Sequence, residues 1–154
     1  MIDTPQIIQI TVRPTAIIRF TIPREEMPNV FGPGIAELMA TLAAQDIAPA
    51  GPVFAHHLKI TPGIWDFELS VPVDRPVAAA GRVKPGQWPA MKAARTIYHG
   101  PYEGLPDAWG AFMEWIEAEG LTPAPDLWEC YVAGPQSNPD PSAWCTELNR
   151  PLID

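Results

Sequence analysis

The chain carries the same signature twice. "WDFELSVPV" begins at Trp65 and "WCTELNRPL" at Trp144, and both read W-x-x-E-L-x-x-P. Upstream, "IAPAGPVFAHH" from Ile47 matches "LTPAPDLWECY" from Leu121. Pro49 then aligns with Pro123, Phe54 with Trp128, Ala55 with Glu129 and His57 with Tyr131. Further upstream, Leu38, Met39 and Leu42 align with Phe112, Met113 and Ile116. Three matches in one order point to a duplicated unit of roughly 75 residues. The second copy is longer near "GPQSNPDPS", a loop by composition.

Hydrophobic periodicity reads each copy in the same order. The first opens with β-rich "IIQITV" and "TAIIRFTI", and Pro14 is expected to break the chain between them. Ile35, Leu38, Met39 and Leu42 form an apolar stripe that predicts a helix from about Gly34 to Gln45. "VFAHHLKI" and "WDFELSV" follow as strands joined by a turn at Pro62–Gly63. In the second copy "AGRV" and "KAARTIYH" read as strands. Pro106 suits a first helical turn and Gly120 a stop, which predicts a helix from about Pro106 to Glu119. Its apolar face carries Leu105, Ala108, Trp109, Phe112, Trp115 and Ile116. "DLWECYVA" and "AWCTELNR" close the chain as strands. Within "YHGPYEGL", Gly100 and Pro101 bend the chain from strand to helix.

Strand, helix, strand, strand, twice over, predicts an α+β fold. Its expected form is a mixed or antiparallel sheet with two main helices, pseudo-two-fold symmetry and a ligand cleft between the halves. Residues 1–154 are expected to form a single domain, with repeats at about 6–74 and 80–152.

Alternation sorts the strand residues by face. Phe54 and Leu58, with Trp128 and Val132, are expected to pack on the helices. Glu129 and Tyr131 then share the other face. A mid-strand glutamate is a poor strand former, and burying its charge unpaired is costly. The repeat places small Ala55 at the matching position. Glu129 is therefore the candidate functional carboxylate, with Tyr131, Tyr98, Trp65, Trp109, Phe112 and His57 as its candidate ring partners. Trp144 reads as a core anchor, and Tyr102 as either packing or site. Glu68 and Glu147 recur, with Arg95 and Arg150 as candidate counter-charges. The same alternation sets Cys130 and Cys145 on opposite faces, with Cys130 under a helix and both reduced.

Composition narrows the function classes. The net charge of −8 disfavours direct binding to nucleic acid, and no Lys/Arg run opposes that. No run of about eighteen apolar residues is present to span a membrane. The N-terminus lacks the pattern of a signal peptide, so a cytoplasmic protein is expected. Two cysteines are too few for a disulfide framework. Adjacent His56 and His57 point to opposite faces of a strand and cannot chelate one ion, so neither metal nor other cofactor is expected.

"RTIYHGPYEGLPDAWGAFMEWIEAEGL", followed by "DLWECYVAGP" and "TELNRPL", resembles the GyrI-like small-molecule-binding domain. This family is also called AraC-type effector-binding or gyrase-inhibitor-like. The resemblance implies a duplicated strand-helix-strand-strand fold with a ligand cavity. It implies that the glutamate of the E-x-Y strand, here Glu129 beside Tyr131, lies in that cavity among aromatic rings. The first half reads "TIPREEMPNVFGPG" and lacks the G-P-Y turn. The expected function is a stand-alone module, monomer or homodimer, that holds a flat, hydrophobic or cationic ligand, a small aromatic or cationic molecule, to sequester or sense it. The resemblance also implies an alternative: a hydrolase that opens the cyclopropane of DNA-alkylating natural products. Glu129, its pKa raised by burial, would be the general base there, and Tyr131 or Tyr98 a hydrogen-bond donor. A third reading, binding to a protein such as gyrase, has no isolated apolar segment to support it.

Overall fold

The computed structural model describes residues 2–60, 63–134 and 138–153, the side chains of Pro28, Lys59 and Ile60 excepted. Pro62 of the expected Pro62–Gly63 turn, and residues 135–137 of the long loop, lie outside the described residues. In chain order the elements are β1 (Gln6–Ile10), β2 (Arg13–Pro23), α1 (Met27–Ala44), β3 (Phe54–Ile60), β4 (Ile64–Pro72) and β5 (Lys84–Trp88). Then come β6 (Met91–His99), α2 (Leu105–Ala118), β7 (Thr122–Pro123), β8 (Leu127–Ala133) and β9 (Cys145–Ile153). The fold is α+β, with antiparallel strand pairing among the described residues.

The chain divides into two compact units, residues 11–90 and residues 1–10 with 91–154. The first unit orders its strands β5-β2-β4-β3 and carries α1. The second orders them β1-β6-β9-β8, with β7 on β9, and carries α2. The outermost strand of each sheet comes from the other repeat. Ile8 of β1 lies opposite Ala93 of β6, and Gly86 of β5 lies opposite Thr15 of β2. The connectors explain this exchange. Thr11–Val12 joins β1 to β2, and Pro89–Ala90 joins β5 to β6. A two-residue hairpin needs positive φ, which β-branched residues and proline do not supply. Neither strand folds back on its successor.

Three boundaries differ from the sequence reading. Pro14 is no break; it lies inside β2, opposite Gln87 of β5 and just before pairing with β4 begins. "AGRV" is not a strand but a tight turn, with Ala80 and Val83 exchanging backbone hydrogen bonds of 3.0 and 2.9 Å. Gly81, at φ 57°, supplies its left-handed residue. Helix α1 starts at Met27, well before Gly34, and contains Pro33. The Gly32-Pro33-Gly34 run reads as a breaker, yet Gly34 serves close packing. A Cβ there would come within 2.7 Å of Leu69 and 3.2 Å of Phe20. Helix α2 lies within one residue of its expected bounds.

The expected faces are reversed, and cross-strand pairing shows why. Ala55 lies opposite Leu69, and Leu69 opposite Ile18. That is the face α1 covers, because Gly34 abuts Leu69 and Phe20. In the second unit Glu129 lies opposite Leu148, which packs with Phe112 and Ile116 of α2. Glu129 and Tyr131 are therefore on the helix side, while Phe54 and Trp128 are on the other. Phe54 packs instead on Trp88, ring centres 4.7 Å apart. Leu58 and Val132 pack on no expected helix face either. The register shifts between His57 and Lys59 and between Tyr131 and Ala133, so each is the extra residue of a bulge. The repeat thus preserves even an irregularity. Burial of Leu38, Leu42, Phe67 and Leu69 in one unit, and of Phe112, Ile116 and Leu148 in the other, stabilises each by about 1.5–3 kcal/mol per side chain.

Beside Phe54 and Trp128, the sheet face away from the helices carries charged and polar pairs. Arg19 makes a two-pronged pair with Asp66, and His56 approaches Glu68 at 3.5 Å. Arg95 lies 3.3 Å from Glu147 and donates to Asn149 at 2.6 Å. Arg150 does not join them: its Nε donates to the Ala124 carbonyl, and burial lowers its pKa. Cys130 lies opposite Glu147, two residues along β9 from Cys145, so both cysteines share this face and neither is under a helix. Neither forms a disulfide among the described residues.

Candidate functional site

Helix α2 lays Ala108, Phe112 and Ile116 into the core, with Ala94, Tyr98 and Leu148 beneath them. That seating turns Trp109, one residue past Ala108, toward β8. Its indole Nε1 donates to Glu129 Oε2 at 2.7 Å. Tyr131 shares a face with Glu129 and donates its hydroxyl to Oε1 at 2.9 Å. Glu129 itself is 9% exposed. Both of these donors are neutral, so they solvate the carboxylate without cancelling its charge.

Rings continue away from the carboxylate on both sides. Trp109 packs on Phe112 at 5.7 Å. Tyr102 meets Tyr131 edge-on at 6.0 Å and Trp144 at 5.0 Å. Trp144 is anchored by its Nε1, which donates to the Asn138 carbonyl at 2.8 Å. Burial raises the Tyr131 phenol well above its ordinary pKa, and the Glu129 charge and hydrogen bond push the same way. Burial, then the Glu129 charge, also raises Tyr102. Both phenols keep their protons at neutral pH, and Tyr131 donates its own to Glu129.

Tyr98 faces the same side but serves the bend. Its hydroxyl donates to the Pro101 carbonyl at 2.7 Å, and its ring is buried under α2. A Cβ at Gly104 would collide with that hydroxyl, so the Gly-Pro-Tyr-Glu-Gly stretch is shaped around Tyr98. Phe112 is a fully buried core residue. The structure therefore brings together Glu129, Tyr131 and Trp109, with Phe112 behind them and Tyr98 below the helix. His57 and Trp65 belong to the unit of residues 11–90, where the His57 ring lies 5.8 Å from Trp65 and 5.5 Å from Phe67.

Two residues join the group that the sequence reading did not assign to it. Trp144 contributes a ring rather than only a core anchor. Thr146 lies opposite both Tyr98 and Tyr131, fully buried, and its hydroxyl has no partner among the described residues. The repeat held the signal for Thr146, which takes the place of Phe67 in the W-x-x-E-L motif. Among the described residues no group of His, Cys, Asp and Glu side chains is placed to hold a metal ion. Among the described residues no helix is long and apolar enough to cross a membrane.

Duplicated strand-helix-strand-strand units, each a sheet with one main helix, define the class: an α+β module. Residues 3–150 match the family model of the GyrI-like small molecule binding domain, and the chain belongs to that family. Comparison with curated proteins returns no match. Among solved structures, the C-terminal domain of EcmrR is similar at TM-score 0.86 and 21% identity, covering 98% of each chain. EcmrR in complex with DNA gives the same score, and there the match spans 57% of that longer chain. SAV2435 bound to tetraphenylphosphonium matches at TM-score 0.71 and 12% identity, over 98% of this chain and 94% of that one. A hydrolase encoded by lin2189 from Listeria innocua matches at 0.71 and 13%, over 97% and 91%.

Proposed function

We propose that this chain binds a hydrophobic, aryl-bearing cation, with Glu129 as counter-charge and Trp109, Tyr131, Tyr102 and Trp144 as ring partners. The supporting observation is the buried carboxylate held at both oxygens by neutral donors. A carboxylate held in place in this way can meet a positive centre on a ligand without rearranging. Ring contacts add about 0.5–2 kcal/mol each for a cation or aromatic surface. The Thr146 hydroxyl supports the same reading, since a buried hydroxyl without a partner costs about 1–3 kcal/mol that a ligand acceptor or donor would recover. SAV2435, of like fold, is bound to a lipophilic cation. Sequestration of such a compound, or sensing of it by a monomer or homodimer, is the role this implies.

The test is titration with tetraphenylphosphonium, read by calorimetry. The wild type binds, and Glu129→Gln weakens binding by about 30-fold or more, the cost of an unpaired buried charge. Equal affinity in the two proteins defeats the proposal.

The hydrolase reading uses the same carboxylate and is favoured by one contact: the Tyr131 hydroxyl, donating to Glu129 Oε1, keeps lone pairs with which to accept from a water beside that carboxylate. It predicts a product heavier by one water on incubation with a cyclopropane-bearing alkylator. Binding without product returns the chain to the first reading. Turnover that survives in Glu129→Gln removes Glu129 as the base.

A further inference from the structure

A second cluster lies on the opposite face of the β6–β9 pair. Tyr98 and Thr146 face α2, so their neighbours His99 and Cys145, themselves a cross-strand pair, face away from it. The Cys145 sulfur lies 3.5 Å from His99 Nδ1. On the far side of the ring, His99 Nε2 lies 3.0 Å from Asp3 Oδ1. Asp3 is fixed through its backbone. Its N–H donates to the Ile97 carbonyl at 2.9 Å, and its carbonyl accepts from the Thr96 hydroxyl at 2.7 Å.

The order of these atoms has a chemical meaning. A carboxylate only accepts, so His99 carries its hydrogen on Nε2 and presents the lone pair of Nδ1 to the thiol. The thiol's other acceptor, the Ala143 carbonyl oxygen, is farther away at 4.0 Å. The side chains of His99 and Asp3 are 47% and 57% exposed, so a reagent can reach the cluster. The three residues are strung in line and are not placed to hold a metal ion. We propose that Cys145, His99 and Asp3 form a nucleophilic thiol site that adds to electron-poor alkenes, with Cys145 as nucleophile, His99 as base and Asp3 as the positioning residue.

The step balances without an oxidant or a cofactor. The sulfur bonds to the β-carbon, the alkene π pair moves toward the carbonyl oxygen, and the thiol proton passes to His99 Nδ1. The imidazolium then returns a proton to the α-carbon, leaving a thioether. Acyl transfer suits the site less well, because an acyl oxyanion needs free backbone donors next to the sulfur. The nearby N–H groups of Gly100, Ala143 and Trp144 are engaged with the carbonyls of Trp144, Asp140 and Pro141.

The experiment is alkylation of the full chain with N-ethylmaleimide at neutral pH, followed by peptide mass mapping. Cys130, 4% exposed, is the internal control. Cys145 is expected to react about tenfold or more faster than a cysteine in an unstructured peptide, and Cys130 to stay unmodified. His99→Gln, which keeps a polar side chain but no base, brings Cys145 down to the peptide rate. Asp3→Asn lowers the rate in part, and Asp3→Glu restores it, which a purely structural role would not produce. Thermal melts of each variant verify folding, and His99→Asn replaces His99→Gln should the latter not fold. Reaction of wild-type Cys145 at the peptide rate, or an unchanged rate without His99, overturns the proposal.

Discussion

Where the unit of residues 11–90 has Ala55, His57, Phe67 and Phe20, the other has Glu129, Tyr131, Thr146 and Tyr98. The cross-strand pairing is the same: Ala55 and Glu129 face Leu69 and Leu148, and His57 and Tyr131 face Phe67 and Thr146. The first unit fills its helix side with apolar rings, Phe20 and Phe67 stacked at 5.4 Å. The second carries a carboxylate, phenols and a hydroxyl on equivalent positions. One copy of an ancestral motif has become packing, and the other has kept polar groups that packing alone does not require. Backbone pairing sets where side chains point, while the identity of a few of them sets whether a unit can recognise anything.

That contrast can be broken at its sharpest point. Ala55→Glu puts a carboxylate where the first unit has no matching indole, because Ile35 takes the place of Trp109 in the repeat. Ala55 is fully buried, so the substitution should cost about 3–5 kcal/mol in urea unfolding. A loss below about 1 kcal/mol would show that the first unit can also host a charge. Thr146→Val should act in the opposite sense. Removing the unpartnered hydroxyl raises stability by about 1–2 kcal/mol. Tetraphenylphosphonium offers that hydroxyl no hydrogen-bonding group, so its affinity should not change. A fall in stability would mean the hydroxyl serves the fold.

The smallest effect is in pH dependence. The folded Tyr131 phenol ionises well above the ordinary value of 10.0. Folding therefore favours the protonated form. That contribution is complete below pH 10.0 and is lost as pH rises from there through the folded value. Unfolding midpoints measured across this window should fall with pH in the wild type and fall less in Tyr131→Phe. Parallel curves would show that Tyr131 is not the group responsible.

Much of this was legible in the residues, and the failures have physical causes. The repeat revealed the element order, and α2 was bounded by Pro106 and Gly120, two residues whose backbone preferences act locally. Glu129 and Tyr131 were visible because a charged residue in the middle of an apolar strand is costly without a reason. Facing was misread because bulges at Leu58 and Val132 interrupt strict alternation, and because large apolar Phe54 and Trp128 were assigned to the helix side by hydrophobicity alone. Helix α1 was cut short because Pro33 and Gly34 look like breakers, although Gly34 is required by contact with Leu69 and Phe20. No local pattern announced the strand exchange. It is written only negatively, in connectors that lack turn-forming residues.

That exchange bears on how such a chain could arise and how it can be divided. A gene cut between the repeats would yield two fragments, each holding one strand that its own sheet does not use and missing one that it does. Two identical single-repeat ancestors could have supplied each other reciprocally, as a swapped pair, before fusion made the loan permanent. Separated halves of the present chain should recover their fold only when mixed.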